Sequence, residues 1–201
     1  MSWIKVIPFA EATGRLKAIY QKVKGPKDQI DNILSIHSLR PHTLIGHMSL
    51  YKNALHHNQN SFPNWFLEFL GTYTSFINRC DYCFDHHYEG MRRFLNDDDK
   101  AANLRMHIEQ HSLDSFLSQK EYAMVKYAQN LTLQPGAMQE SQIKVLKELG
   151  YDDGEILEAN QVIAYFNYAN RTVLGLGVDA GGEVLGMSPK NKDDEDSWGH
   201  E

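Results

Sequence analysis

The two cysteines of the chain, Cys80 and Cys83, lie three positions apart, and a histidine follows them at position 87. On a helix, Cys80, Cys83 and His87 stand at i, i+3 and i+7, so both sulfurs and one imidazole share a face. If Cys80 lies in the first helical turn, unpaired N–H groups and the helix dipole favour a thiolate over a thiol. The pattern therefore predicts a lowered pKa for at least one of the sulfurs.

A thiolate with a second thiol one turn away can reduce a peroxide. Attack on the peroxide gives a sulfenic acid, and the second thiol condenses with it to a disulfide before further oxidation. A neighbouring imidazole can shuttle the proton that leaves the thiol, and a partly buried carboxylate can orient that imidazole or relay the proton. His87 and Glu68 are the candidates, because Glu68 is the single acid in the apolar stretch 65–77. We therefore predict a redox-active dithiol with a Glu/His proton relay.

The composition favours a soluble protein of the cytoplasm. With 201 residues the chain is long enough to bury a core. Two closely spaced cysteines suit neither a disulfide-scaffolded secreted domain nor a four-thiolate zinc site. The start of the chain lacks a signal-peptide pattern, and no window reaches the roughly 18 apolar residues of a membrane span. A net charge of −6 with scattered basic residues argues against a nucleic-acid partner.

Helical periodicity dominates the sequence, which predicts an all-α fold in which helices position the dithiol. We expect a helix to end before Gly25, one to begin at Pro41, one to follow an N-cap at Ser61, and the last to begin with a capping box of Asp152 and Glu155. The predicted helices cover about 16–23, 41–55, 65–77, 80–95, 100–111, 119–131, 139–149 and 152–173. Residues 1–181 are expected to form one helical domain, and the polar residues 182–201 a disordered C-terminal tail.

The spacing of the four candidate residues resembles a known family. Glu68, Cys80, Cys83 and His87 reproduce the E-x11-C-x2-C-x3-H signature of the alkylhydroperoxidase D-like (AhpD-like) proteins in the carboxymuconolactone decarboxylase superfamily. The chain is most similar to an uncharacterised peroxidase-related branch of that superfamily. The segments HSLRPHTL and YFNYANRTVLGLGV also resemble that branch, so the likeness extends over roughly 10–180.

The resemblance implies an antioxidant thiol-dependent peroxidase, or a related disulfide reductase, on an AhpD-like helical bundle that assembles as a homo-oligomer, either a trimer or a hexamer. It implies Cys83 as the thiolate that attacks the peroxide, Cys80 as the resolving thiol, and Glu68 with His87 as the proton relay. The substrate would be a hydroperoxide and the electron donor a dithiol, with no organic cofactor and no metal.

One position departs from the family pattern. The best-known members place a His immediately before the second Cys, whereas this sequence has Tyr82 there. A tyrosine can donate a hydrogen bond but is a poor proton acceptor near neutral pH. We therefore treat Tyr82 and His86 as auxiliary candidates, with His86 as the possible substitute for the missing imidazole.

Other interpretations of these residues stay open. Cys80, Cys83 and a histidine could supply three zinc ligands, although closed zinc sites use four. The chain could then be a redox-sensing or zinc-binding interaction protein, and a decarboxylase-like enzyme of the same superfamily is a further alternative. Glu68 could also pair with a basic residue such as Arg79 or Arg171.

A second polar group lies on the last predicted helix. Asn167, Asn170 and Arg171 stand at i, i+3 and i+4 and so form one edge of an otherwise apolar element. We expect this edge to fix helix packing or a subunit contact rather than to act in catalysis.

Overall fold

The computed structural model describes residues 2–25 and 28–188, and within these residues it contains nine α-helices and no strand. The all-α prediction is therefore confirmed. The helices are α1 (Gly14–Val23), α2 (Asn32–Ser35), α3 (Pro41–Leu55), α4 (Asn64–Ile77), α5 (Asp81–Leu95), α6 (Asp98–Glu109), α7 (Gln119–Leu133), α8 (Glu140–Glu148) and α9 (Asp153–Leu176).

Helix α4 lies at the centre of the bundle and packs against α5, α7 and α9. Its sequence is apolar enough to be buried from Phe66 to Ser75. The hydroxyls of Thr72, Thr74 and Ser75 donate to backbone carbonyls one turn earlier, at 2.8, 2.8 and 2.9 Å. Because these hydroxyls are satisfied within the helix, α5 and α9 can cover α4 without stranding a polar group.

A glycine allows α4 and α9 to approach closely. A Cβ atom at Gly71 would lie 2.2 Å from the ring of Phe166, which is fully buried on α9. Real Cβ atoms do not reach such distances, so the aromatic ring occupies the place of a side chain. This contact fixes Phe166 next to α5.

Most predicted helix boundaries agree with the structure within a few residues. Asp152 and Glu155 form the predicted capping box of α9. The predicted cap at Ser61 is wrong, because Pro63 occupies the N-cap position of α4 and the backbone N–H of Ser61 donates instead to the Glu158 carboxylate at 2.8 Å. Helix α2 was not predicted, since a four-residue helix is too short to produce an apolar period.

The region expected to form a tail divides into two parts. Residues 189–201 lie outside the described residues. Residues 182–188 pack on the bundle, where Arg93 donates to the carbonyls of Gly186 at 2.8 Å and of Leu185 at 3.1 Å. The bonds that hold this segment go to backbone carbonyls, and an amino-acid composition, which describes side chains, cannot predict them. We refer to residues 179–188 as the strap.

Candidate active site

The two cysteines lie at the start of α5. Cys80 is the N-cap residue, and its carbonyl accepts a hydrogen bond from the Phe84 N–H at 2.8 Å. Both thiols are free and buried, and their sulfur atoms are hydrogen-bonded at 2.7 Å. A small movement would bring the sulfurs to the bond length of about 2.05 Å that a disulfide requires.

The hydrogen bond between the sulfurs separates their pKa values. The hydrogen bond with Cys83 lowers the pKa of Cys80 and outweighs the opposing effect of burial. Burial raises the pKa of Cys83 well above its ordinary range, and the hydrogen bond with Cys80 adds to this effect. One sulfur thus has a lowered pKa, but the main cause is the neighbouring thiol rather than the helix start. The two thiols thus differ in acidity, and Cys80 is the more acidic of the pair.

Glu68 provides a carboxylate inside the bundle, with only 2% of its surface exposed. Its Oε2 lies 2.7 Å from Nδ1 of His87, and its Oε1 lies 3.5 Å from Nε2 of His56. His56 is fully buried, and its Nε2 is also 2.9 Å from the hydroxyl of Tyr51. The carboxylate therefore lies between two imidazoles, one on α5 and one at the end of α3.

The possible pairing of Glu68 with Arg171 does not occur, because Arg171 donates to the backbone and side-chain oxygens of Asn167 at 2.8 and 2.7 Å. Gly90 makes room for the carboxylate, since a Cβ at that position would lie 3.1 Å from Glu68 Cδ. The ring of His87 packs edge-on against Phe166, with 4.4 Å between the ring centroids. The relay pair is therefore positioned by tight packing on both sides.

A small cavity of about 50 Å³ brings the dithiol and the relay together. Cys83, Glu68 and His87 line it, whereas Cys80 does not. The other lining residues are Asp31, Ile33, Leu34, His47, Tyr51, Tyr82, His86, Gly90, Tyr165, Ala169 and Met187. A molecule in this cavity therefore meets the sulfur of Cys83 rather than that of Cys80.

The two auxiliary candidates line the cavity but contact the strap. The hydroxyl of Tyr82 accepts from the Ile33 N–H at 3.2 Å, and its pKa is raised well above the usual value, chiefly by burial and then by Glu183. Nε2 of His86 lies 3.3 Å from Oε2 of Glu183. His86 thus reaches the cavity, but it pairs with Glu183 rather than with the relay carboxylate.

Asn170, on the polar edge of α9, belongs to a buried hydrogen-bonded network between helices and also reaches the dithiol. It is fully buried, its Nδ2 lies 3.0 Å from the Ser75 hydroxyl, and its Oδ1 accepts from Asn78 Nδ2 at 2.9 Å. Its side chain also hydrogen-bonds to the sulfur of Cys83, which opposes the rise in the pKa of that thiol. The sequence signal was its helical register, but the register does not reveal which side of α9 faces the thiols.

Three further site residues were missed by sequence reasoning: His56, Tyr51 and Glu183. The first two lie in a region rich in histidine, where spacing alone does not select a partner for Glu68. Glu183 lies in the segment expected to be a tail. Each reaches the site only through contacts between elements that are distant in sequence.

The described residues contain neither a cluster that could hold a metal ion nor a helix that could span a membrane. Within residues 2–25 and 28–188, no group of three or more His, Cys, Asp or Glu side chains is arranged to hold a metal ion. In the same part of the chain, every helix is too short or too polar to cross a membrane.

Comparison with known proteins gave matches among solved structures alone; neither a family model nor a curated protein matches the sequence. An uncharacterised peroxidase-related protein from a Silicibacter species is 20% identical with a TM-score of 0.73, covering 90% of this chain and 93% of that chain. An alkylhydroperoxidase AhpD core protein from Ralstonia eutropha, also uncharacterised and peroxidase-related, is 19% identical with the same TM-score of 0.73 and the same coverages of 90% and 93%.

A third similar structure has a different activity in its name. It is a cysteine-to-alanine variant of the debrominase Bmp8 in complex with 2,3,4-tribromopyrrole, 15% identical with a TM-score of 0.63, and the match covers 84% of each chain. Likeness at these identities concerns the backbone arrangement rather than the reaction. The chain therefore has the all-α fold of the alkylhydroperoxidase D core, as the spacing of its glutamate, cysteine and histidine residues implied.

Proposed function

We propose that the protein is a thiol-dependent peroxidase that reduces hydroperoxides through Cys83 and Cys80. The observation that carries the proposal is the cavity, which contains the Cys83 sulfur together with the Glu68–His87 pair. The Cys80 sulfur lies directly behind it at 2.7 Å. A nucleophile, a proton relay and a resolving thiol are thus within reach of one small molecule.

In the first step the His87 imidazole takes the proton of the Cys83 thiol. The Cys83 thiolate then attacks one oxygen of the hydroperoxide, the O–O bond breaks, and Cys83 becomes a sulfenic acid. The departing alkoxide or hydroxide takes a proton from the His87 imidazolium, which Glu68 holds in position. The products of this step are the sulfenic acid and an alcohol, or water when the substrate is hydrogen peroxide.

The second step closes the disulfide. The Cys80 thiol attacks the Cys83 sulfenic sulfur, the S–O bond breaks, and the hydroxyl leaves as water with the Cys80 proton. An external dithiol then reduces the disulfide by exchange and is itself oxidised to a disulfide. The two electrons that reduce the peroxide therefore come from the external dithiol.

The pKa shifts and the access to the cavity distinguish the two sulfurs, and the proposal gives each a role. The cavity selects Cys83 as the attacking sulfur, because Cys80 is not exposed to it. The lowered pKa of Cys80 makes that sulfur the better leaving group when the external dithiol attacks the disulfide at Cys83. The raised pKa of Cys83 also makes its thiolate a stronger nucleophile once formed, since nucleophilicity rises with basicity.

The test is mass spectrometry of the thiols after one equivalent of hydroperoxide, comparing the wild type with Cys80→Ser and Cys83→Ser. We expect a Cys80–Cys83 disulfide in the wild type, a stable sulfenic acid at Cys83 in Cys80→Ser, and no oxidation in Cys83→Ser. Sulfenic acid at Cys80 in the Cys83→Ser protein would reverse the roles. Unreacted thiols in the wild type would contradict the peroxidase.

The substrate panel must reach beyond peroxides, because a debrominase shares the fold. A brominated pyrrole is therefore tested beside hydrogen peroxide, with the dithiol as reductant in both assays. Repeated turnover separates an enzyme from a redox-sensing protein, which would be oxidised once. A cytoplasmic location stays a prediction from the composition, and assembly as a trimer or hexamer stays a prediction of the family resemblance.

A further inference from the structure

The strap contains a buried carboxylate that the peroxidase mechanism does not use. The side chain of Glu183 is only 6% exposed. It accepts hydrogen bonds from the backbone N–H of Asn32 and from the hydroxyl of Tyr82, and its Oε2 lies 3.3 Å from His86 Nε2. A carboxylate withdrawn from water is stable only when it is paired in this way. One side chain thus ties the strap to α2 and to α5.

Further contacts hold the strap across the cavity. Asn32 Nδ2 donates to the carbonyl of Asp179 at 2.8 Å, and Arg93 donates to the carbonyls of Gly186 and Leu185. Gly186 has φ of +71° and lies directly against α5, because a Cβ there would be 2.7 Å from the Glu89 Cβ. After this contact, the side chain of Met187 becomes part of the cavity lining.

The closed cavity is too small for a large substrate. Its volume of about 50 Å³ has room for a few water-sized molecules, since one water needs roughly 10–15 Å³ measured in this way. An aromatic ring requires a cavity of about 150 Å³. A bulky hydroperoxide therefore reaches Cys83 only if part of the lining moves, and the strap contributes Met187 to that lining.

We propose that the strap is the specificity-determining roof of the cavity: closed, it admits molecules of the size of hydrogen peroxide to Cys83, and release of Glu183 admits bulky organic hydroperoxides. Glu183 is the latch, because it is the strap side chain that contacts both α2 and α5. Met187 is the second determinant, because it is a strap residue that lines the cavity. The inference rests on the proposed function for its substrate, whereas the roof itself can be tested without peroxide.

The first experiment measures access to Cys83 with two thiol reagents of different size. Iodoacetamide and the bulkier N-phenylmaleimide are added to reduced protein, and mass spectrometry follows the labelling rate at Cys83. The variants are Glu183→Ala and Met187→Ala. Their matched controls are Glu148→Ala and Met106→Ala, which replace exposed residues on α8 and α6.

We expect N-phenylmaleimide labelling to rise by roughly tenfold or more in Glu183→Ala, as the loss of one hydrogen bond to a buried charge predicts. Met187→Ala should give a smaller rise, iodoacetamide labelling should change less in both variants, and the controls should match the wild type. If the ratio of the two labelling rates is the same in the wild type and in both strap variants, the strap does not control access to Cys83 and the proposal is wrong.

The second experiment measures single-turnover oxidation by hydrogen peroxide and by cumene hydroperoxide. Glu183→Ala should increase the rate with cumene hydroperoxide relative to hydrogen peroxide. If the labelling rates change in the strap variants while neither peroxide oxidises the protein, the role of the strap is supported and the peroxidase function is contradicted. If both peroxides oxidise the wild type at equal rates and the variants do not alter the ratio of these rates, the peroxidase function is supported and the role of the strap is contradicted.

Discussion

The helical floor of the cavity, formed by α4, α5 and α9, and the strap above it are held by different interactions. In the floor, the ring of Phe166 occupies the place of a side chain at Gly71, and buried polar groups such as Ser75 and Asn170 are paired. The strap is held by Glu183 and by backbone carbonyls, while its Val184 is 51% exposed.

This difference predicts two kinds of behaviour. Groups in the floor belong to the cooperative core and stay in place unless the bundle unfolds, whereas a segment with few buried apolar contacts opens locally at lower cost. The floor should therefore determine the chemistry for every substrate, and the strap should determine which substrates arrive. The following predictions test that division.

The largest effect is expected for Glu68→Gln. The change keeps the shape of the side chain but removes the charge that orients His87, so oxidation of Cys83 should slow by about a hundredfold, within the range of general acid–base catalysis. Because Glu68 lies in the floor, hydrogen peroxide and cumene hydroperoxide should slow equally. Stopped-flow peroxide consumption measures both rates, with the exposed Glu140→Gln as control. A change in the ratio of the two rates would mean instead that Glu68 controls the access of peroxides to Cys83.

A comparison of two glycine variants separates the stability of the floor from that of the strap. Gly71→Ala would force a Cβ into the Phe166 ring and should lower the free energy of unfolding by about 1–3 kcal/mol. Gly186→Ala is strained by its positive φ, but the strain lies in the strap, so it should increase N-phenylmaleimide labelling of Cys83 with little change in thermal unfolding.

The control for both variants is Gly46→Ala in α3, where a Cβ would meet no atom within 4 Å. This exposed helical position should gain about 0.5–1 kcal/mol from the higher helix propensity of alanine. Global unfolding of Gly186→Ala at the temperature of Gly71→Ala would show that the strap belongs to the cooperative core, which would contradict the comparison.

A smaller effect is expected for Asn170→Ala. Loss of the hydrogen bond from Asn170 should raise the pKa of Cys83 further, because this bond favours the thiolate. Iodoacetamide labelling of Cys83 should then require a higher pH, and at neutral pH it should slow by roughly tenfold. The control is Asn160→Ala, a residue of the same helix that donates to the Tyr127 hydroxyl. Faster labelling of Asn170→Ala would instead mean that Asn170 shields the sulfur.

The smallest effect concerns alkaline pH. Burial raises the pKa of Tyr51 and of Tyr165 well above the usual value. A group whose pKa is raised by folding stabilises the fold below its unfolded pKa, here about 10, and this contribution is lost as the pH rises through the folded pKa. The melting temperature should therefore fall above about pH 10. Tyr165→Phe should reduce that fall relative to the control Tyr168→Phe, whose side chain is 40% exposed. Equal falls in both variants would exclude Tyr165 as a cause.

Much of the fold and part of the site could be predicted from the sequence. The apolar period gave most helices of the bundle, and Asp152 with Glu155 marked the start of α9 correctly. The spacing of Glu68 and His87 anticipated their contact at 2.7 Å. Ser61 was misassigned because a capping side chain and a side chain elsewhere on a loop have the same sequence pattern.

The sequence by itself determined contacts between residues about one turn apart, such as that between the sulfurs of Cys80 and Cys83. Only the tertiary structure decided that Cys83 rather than Cys80 meets the cavity and that His56 is the second partner of Glu68. It also decided that Glu183 reaches Asn32 from 151 residues away. The physical reason is that a helix repeats every 3.6 residues, so neighbours within it follow from spacing alone. Contacts between distant segments depend on how whole elements pack, and no local pattern records that packing.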